Sequence, residues 1–153
     1  MTKRRYIYAL TGVLMLTMLA GCAKNQTPQY NTAVVSNDFA HAMAVFQTEV
    51  ISLHKQGIMD DAGYATFSAA ARSANTAGLN ADKLIATGDW TGAIPLLNSA
   101  LQVLQGIPPT SVGIKNPNSQ LIYSASLNAA IATLEIVLSN TQTKAAAAAG
   151  VAK

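Results

Sequence analysis

Two histidines, seven carboxylates and one cysteine are the side chains in this 153-residue chain best suited to metal, acid–base or nucleophilic chemistry. Their spacing limits what they can do. His41 and His54 fall thirteen residues apart in one apolar-periodic stretch. At the rise of an α-helix that is about 20 Å, too far to share an ion. His41 lies roughly 200° round a helix from Phe39, away from the apolar stripe, and reads as solvated. His54 flanks Leu53 at the edge of that stripe. No second cysteine, His-Glu-x-x-His pair or Asp-rich calcium loop accompanies them, so no metal site and no cofactor is expected.

The carboxylates are Asp38, Glu49, Asp60, Asp61, Asp82, Asp89 and Glu135. Asp38, Asp60 and Asp89 stand at expected helix starts, where a carboxylate accepts from the free backbone N–H groups of the first turn. Asp60 and Asp61 are adjacent, and neighbours on a helix point about 100° apart. They read as a cap and a partner of the helix dipole, not as a glycosidase acid pair. No Gly-x-Ser-x-Gly elbow and no glycine-rich phosphate loop is present, and the serines and threonines lack a base. Tyr64 and Trp90 fall on core stripes and read as packing. The expectation is a protein that is not an enzyme, with no catalytic residues.

Cys22 closes the most informative segment. Met1-Thr2-Lys3-Arg4-Arg5 is positive, Tyr6 to Ala20 is apolar apart from Thr11, Gly12 and Thr17, and Ala23-Lys24-Asn25-Gln26 is polar. A positive start, a short apolar run and small residues at a cleavage point make a secretory signal peptide. The run of about 15 residues is short of the roughly 20 that a spanning helix prefers. Leu19-Ala20-Gly21-Cys22 resembles the lipobox of bacterial lipoprotein precursors, over residues 1–22 only. The resemblance implies a diacylglyceryl group on the Cys22 sulfur, cleavage before Cys22 with Leu19, Ala20 and Gly21 as the signal-peptidase recognition residues, and acylation of the new amino group by a chain such as palmitate. Two or three acyl chains anchor stably where one is marginal. Cys22 is the only cysteine, so acylation also removes the one exposed thiol of an exported chain. Residue 23 is Ala; in the enterobacterial pattern an Asp there means inner-membrane retention, so the resemblance implies the outer membrane, on its periplasmic or surface side, if the organism has one.

Composition argues against nucleic acid, and its low charge favours a non-catalytic interaction or structural protein. Half of the residues are apolar and 11% are charged, against about 25% in an ordinary soluble domain. The formal charge is +3, but without Lys3, Arg4 and Arg5 the signs balance at seven each. A basic face for nucleic acid needs clustered Lys and Arg, and the body of the chain has none.

The elements beyond the leader follow from helical spacing. Residues 1–21 form the cleaved signal peptide, 22–35 a flexible tether, 36–140 the folded domain and 141–153 a low-complexity tail. A helix over 37–56 carries Phe39, Met43, Phe46, Val50 and Leu53. A second over 60–87 carries Phe67, Ala71, Ala74, Gly78, Ala81 and Ile85, continuous through Gly78. A third over 90–105 carries Ile94, Leu97, Leu101 and Leu104, with Pro95 imposing a bend or a later start. Residues 106–118 form a loop that crosses the bundle end, and a fourth helix over 119–140 carries Tyr123, Leu127, Ile131, Leu134 and Leu138. The expected fold is all-α, an antiparallel up-and-down helical bundle of about four helices. Gly88 to Leu101 resembles the start of a tetratricopeptide unit, but no second copy follows at the 34-residue period. Stacked repeats need about three units, so it reads as a helix after a Gly-Asp turn.

The fourth helix has a second apolar face. Ala125, Ala129, Ala132 and Ile136, with Ile122 nearby, lie about 180° from the core stripe, and a bundle helix normally buries one stripe. The face is the candidate site for a protein partner or a homo-oligomer. The functional expectation is a lipid-anchored envelope lipoprotein, held to the membrane through Cys22 and acting as a non-catalytic interaction or structural module. The alternatives are an anchored blocker of a phage or export channel, as mobile elements encode for exclusion, and a peptidoglycan-associated lipoprotein. The last rests on Lys153, because some small helical lipoproteins are joined to peptidoglycan through a terminal Lys.

Overall fold

The computed structural model describes residues 28–151, with side chains over 37–150. Leu19, Ala20, Gly21, Cys22 and Lys153 lie outside the described residues. Contacts divide the chain into Met1–Asn31 and Thr32–Lys153, and the helical bundle belongs to the second unit. The helices are α1 (Pro28–Lys55), α2 (Asp61–Ala86), α3 (Trp90–Gln105) and α4 (Pro117–Val151). No strand occurs among the described residues. The fold is an all-α helical bundle, and its short connections at 56–60 and 87–89 turn each helix back along its predecessor.

Three helix starts are set by side-chain caps. Asp60 accepts from the Gly63 N–H at 2.7 Å and Asp89 from the Gly92 N–H at 2.9 Å. Asn116 Oδ1 accepts from the Asn118 and Ser119 N–H groups at 2.9 and 3.2 Å, with Pro117 in the first position that tolerates a missing N–H. Gly57 and Gly88 take positive φ (69° and 82°) where the chain reverses after α1 and α2, a conformation that costs glycine nothing.

The core is centred on Phe46. Its ring meets Phe67 of α2 at 5.2 Å and Tyr123 of α4 at 5.1 Å, both edge to face, the arrangement that aromatic quadrupoles favour. All five expected core residues of α1 are buried, as are all six of α2. α2 runs unbroken through Gly78, whose bare Cα leaves room for the Phe39 ring; a Cβ there would lie 3.1 Å from Phe39 Cε1.

Four expectations need correction. α1 begins at Pro28, so residues 28–35 are helical and not a tether; Asp38 consequently sits inside the helix and caps nothing. α3 begins at Trp90 and runs through Pro95, so the later start does not occur. Pro95 offers no N–H to the Thr91 carbonyl, and Thr91 is exposed to solvent that can serve it. Leu97, Leu104, Tyr123, Leu127 and Leu134 are buried as expected, but the core stripes of α3 and α4 are each turned by about half a residue. Ala93 and Ala100 are fully buried in place of Ile94 and Leu101, and Ala130 and Val137 in place of Ile131 and Leu138. α2 makes extensive close backbone contact with α3, and α3 with α4. Alanines at the contact allow that approach, because interaxial distance follows side-chain size. The bulkier Leu101, Ile131 and Leu138 pack at the flanks, partly buried. Finally, the expected tail is helical: α4 continues to Val151. Alanine is the strongest helix former, and Thr141 is buried with its hydroxyl donating to the Val137 carbonyl at 2.8 Å.

The connection from 106 to 116 closes one end of the bundle. Ile107, Val112 and Ile114 are buried in the same core as Met59. The Tyr123 hydroxyl donates to the Ile107 carbonyl at 2.9 Å, and Gln120 donates to the Ile114 carbonyl at 2.7 Å. Gly63, in the first turn of α2, packs directly under the Val112 carbonyl.

Candidate functional site

The polar residues with catalytic potential are spread out and structurally engaged. His41 is exposed on α1. His54 packs at the α1–α2 turn, stacked on Tyr64 with ring centroids 4.3 Å apart and planes 6° from parallel. A carbonyl can only accept, so His54 Nδ1–H donates to the Met59 carbonyl oxygen at 3.2 Å. Nε2 then faces the Asp61 carboxylate at 3.6 Å, and Asp61 is fully exposed. Such a pair contributes little. Asp60 and Asp61 therefore separate as the sequence suggests, one capping α2 and the other turned toward His54. Tyr64 covers His54 rather than lining a cleft, and Trp90 packs half-buried against the core. Among the described residues no group of three His, Cys, Asp or Glu could hold a metal ion.

Tyr123 is the one described ionisable group whose pKa is clearly displaced. It is raised well above the ordinary tyrosine value, and the cause is burial, which penalises the phenolate. Its hydroxyl is committed to the Ile107 carbonyl, so its role is structural.

A shallow groove of about 240 Å³ runs between α1 and α2, lined by Phe39, Met43 and Leu79 with Gln47, Asn75 and Asp82 at its rim. It contains no nucleophile–base pair among its lining residues.

The outer face of α4 is the feature that packing does not explain. Ala125, Ala129, Ala132 and Ile136 are all exposed, as expected of a face opposite the core stripe. Ile136 is 54% and Ile122 47% exposed, and Leu121 beside them 71%. By length and composition, α4 is apolar enough to cross a membrane, and 33% of that window is buried in the bundle. It is thus compatible with membrane association. Of the 35 residues of α4, Glu135 and Lys144 alone are charged.

The chain matches no family model, no curated protein and no solved structure. The site therefore rests on its own geometry. Sequence spacing found the centre of the face but missed its length. The low-complexity composition of 141–153 conceals the continuation of the same face along α4. The run of five alanines from Ala145 to Ala149, the best helix formers available, was the signal for it.

Proposed function

We propose that this chain is a bacterial envelope lipoprotein, anchored through acyl chains on Cys22, whose helical bundle is a non-catalytic interaction or structural module. The observation that carries the module reading is the exposed, uncharged outer face of α4. An apolar patch on a helix that already buries another stripe marks an interaction surface. The described histidine at the α1–α2 turn and the acids at helix starts are occupied by turn and cap contacts, which fits a scaffold. Anchoring is supported by the leader and by Leu19-Ala20-Gly21-Cys22, and Ala23 supports the outer membrane.

Replacement of Cys22 tests the anchor. Cys22→Ser is expected to abolish incorporation of labelled palmitate and to release the protein from the membrane fraction. Unchanged labelling and fractionation would overturn the lipoprotein reading. Crosslinking in intact cells, followed by mass spectrometry of the membrane fraction, tests the module. One dominant protein product involving α4 is expected; a bound glycan processed by the chain would instead establish an enzyme.

A further inference from the structure

We infer that the outer face of α4 pairs with the same face of a second copy of this chain, the two helices running parallel. The pairing deepens the interaction reading above, and its orientation rests on the proposed anchor. Ile122, Ala125, Ala129, Ala132 and Ile136 step by 3, 4, 3 and 4, and the alternation continues through positions 139, 143, 146 and 150. All nine positions are exposed and none is charged. A strict 3–4 alternation is the spacing of a seam between two helices that wind round each other. This seam lies opposite the buried stripe of Tyr123, Leu127, Ala130 and Leu134. α4 thus presents two seams, one covered by its own bundle and one uncovered. The outer face of α2 differs, with Asp61, Arg72 and Lys83 exposed on it.

Area selects how much of the seam must be used. From Ile122 to Gly150 it is about 42 Å long, and a helix is about 12 Å wide, so each copy contributes on the order of 500 Å². The pair then reaches roughly 1,000 Å², the lower bound for a specific interface. The segment from Ile122 to Ile136 alone covers about half of that length and falls below the bound. The last turns of α4 are therefore part of the interface, which accounts for a helix that extends past the end of its own apolar core. A short alanine-rich helical end is marginal alone in water, and a second helix beside it removes that weakness.

The chemistry of the face favours a helix over a lipid surface. Helices that lie on membranes carry Lys or Arg along the polar border with large apolar residues between. The seam is mostly alanine, serine and threonine, which lets a second backbone approach closely. Parallel self-pairing puts each seam residue on its own copy, isoleucine on isoleucine and alanine on alanine, with Ser139, Thr143 and Gly150 likewise meeting themselves, and needs no charge complement. A parallel pair places the starts of its two bundles at the same level along the pair axis, where N-terminal anchors can enter one membrane, whereas an antiparallel pair separates them along that axis.

In a parallel pair every seam position meets itself. Ile122→Cys and Ile136→Cys, made separately in the full-length protein and oxidised in isolated membranes, are each expected to shift most of the chain to a disulfide-linked dimer. Wild-type protein and Arg72→Cys, on the outer face of α2, are expected to remain monomeric. Both seam residues are exposed, so neither substitution opens the core. Ala129→Trp combined with Ile136→Cys is expected to abolish the dimer by holding the helices apart. Absence of the dimer from both seam variants overturns the pairing, as does equal dimer from Arg72→Cys. Dimer from Ile136→Cys alone overturns the parallel arrangement. Crosslinking of the face to a different protein or to lipid, without self-dimer, overturns the choice of occupant. Maleimide labelling of the wild-type chain reports Cys22 separately. A free thiol there removes the anchor and the orientation argument, and the seam pair is then read in a Cys22→Ser background.

Discussion

Gly63→Ala sets helix propensity against packing. In an open helix the change stabilises by up to about 1 kcal/mol, because alanine loses less backbone entropy. At Gly63 the added Cβ would fall inside contact distance of the Val112 carbonyl oxygen, 2.8 Å from its carbon and 3.2 Å from Asp60 Oδ1. The obstacle is main chain, held in place because Ile107, Val112 and Ile114 on the same loop are buried. Overpacking of this kind costs about 1–3 kcal/mol, and the first turn of a helix gains less from propensity than its middle. The net expectation is destabilisation by about 1–2 kcal/mol, or a fall in Tm of about 4–8 °C for a domain of this size. Thermal unfolding followed by far-UV circular dichroism measures it. Gly150→Ala is the control: it is helical and has nothing within 4 Å, so its Tm should hold or rise slightly. Gly78→Ala should lie between the two, because the Phe39 ring edge it meets can tilt. A Tm for Gly63→Ala equal to or above that of the wild type would refute the loop-on-helix contact.

Three further outcomes follow from the core. Tyr123→Phe removes the side-chain donor that the described residues place on the Ile107 carbonyl and should cost about 1–2 kcal/mol in denaturant titration. Because burial raises the Tyr123 pKa, the folded state keeps a proton that the unfolded state loses. Stability is thus intact below the ordinary tyrosine value of about 10 and falls above it, by up to about 1.4 kcal/mol per pH unit; Tyr123→Phe should flatten that slope. Leu134→Asp should unfold the bundle by burying an unpaired charge, whereas Ile131→Asp, at a flank, should leave a measurable transition at lower temperature. An equal effect of both would place the α4 core at the wrong azimuth.

Much of this architecture was legible in residue spacing, and the two displaced stripes share a cause. The stripes of α1 and α2 were read correctly because their large residues and their small ones fall in one phase. In α3 and α4 bulk and burial part company. Ile94, Leu101, Ile131 and Leu138 are larger than Ala93, Ala100 and Ala130, but close helix contact selects the small residue for the centre. Spacing alone cannot say which of two adjacent rows faces inward. The start of α1 was missed because residues 28–35 carry no apolar period, although Thr-Pro at 27–28 is a sequence pattern that can open a helix. For the candidate face, its position was evident from the second stripe, while its length depended on the helix continuing past residue 140.

The loop from 106 to 116 makes the bundle mechanically uneven. It ties the first turn of α2 through Gly63, the start of α4 through Tyr123 and the turn at Met59 into one plug. Opening that end exposes all of them together, so its amides should exchange with solvent only on nearly global unfolding. The opposite end is joined only by the connection at 87–89, and its amides should exchange first. Phe39 of α1, packed on Gly78 of α2, lies toward that looser end. A pull on the chain before Phe39 would strip Phe39, then Met43, then Phe46 from the core in sequence, like a zipper, and the plug would give way last.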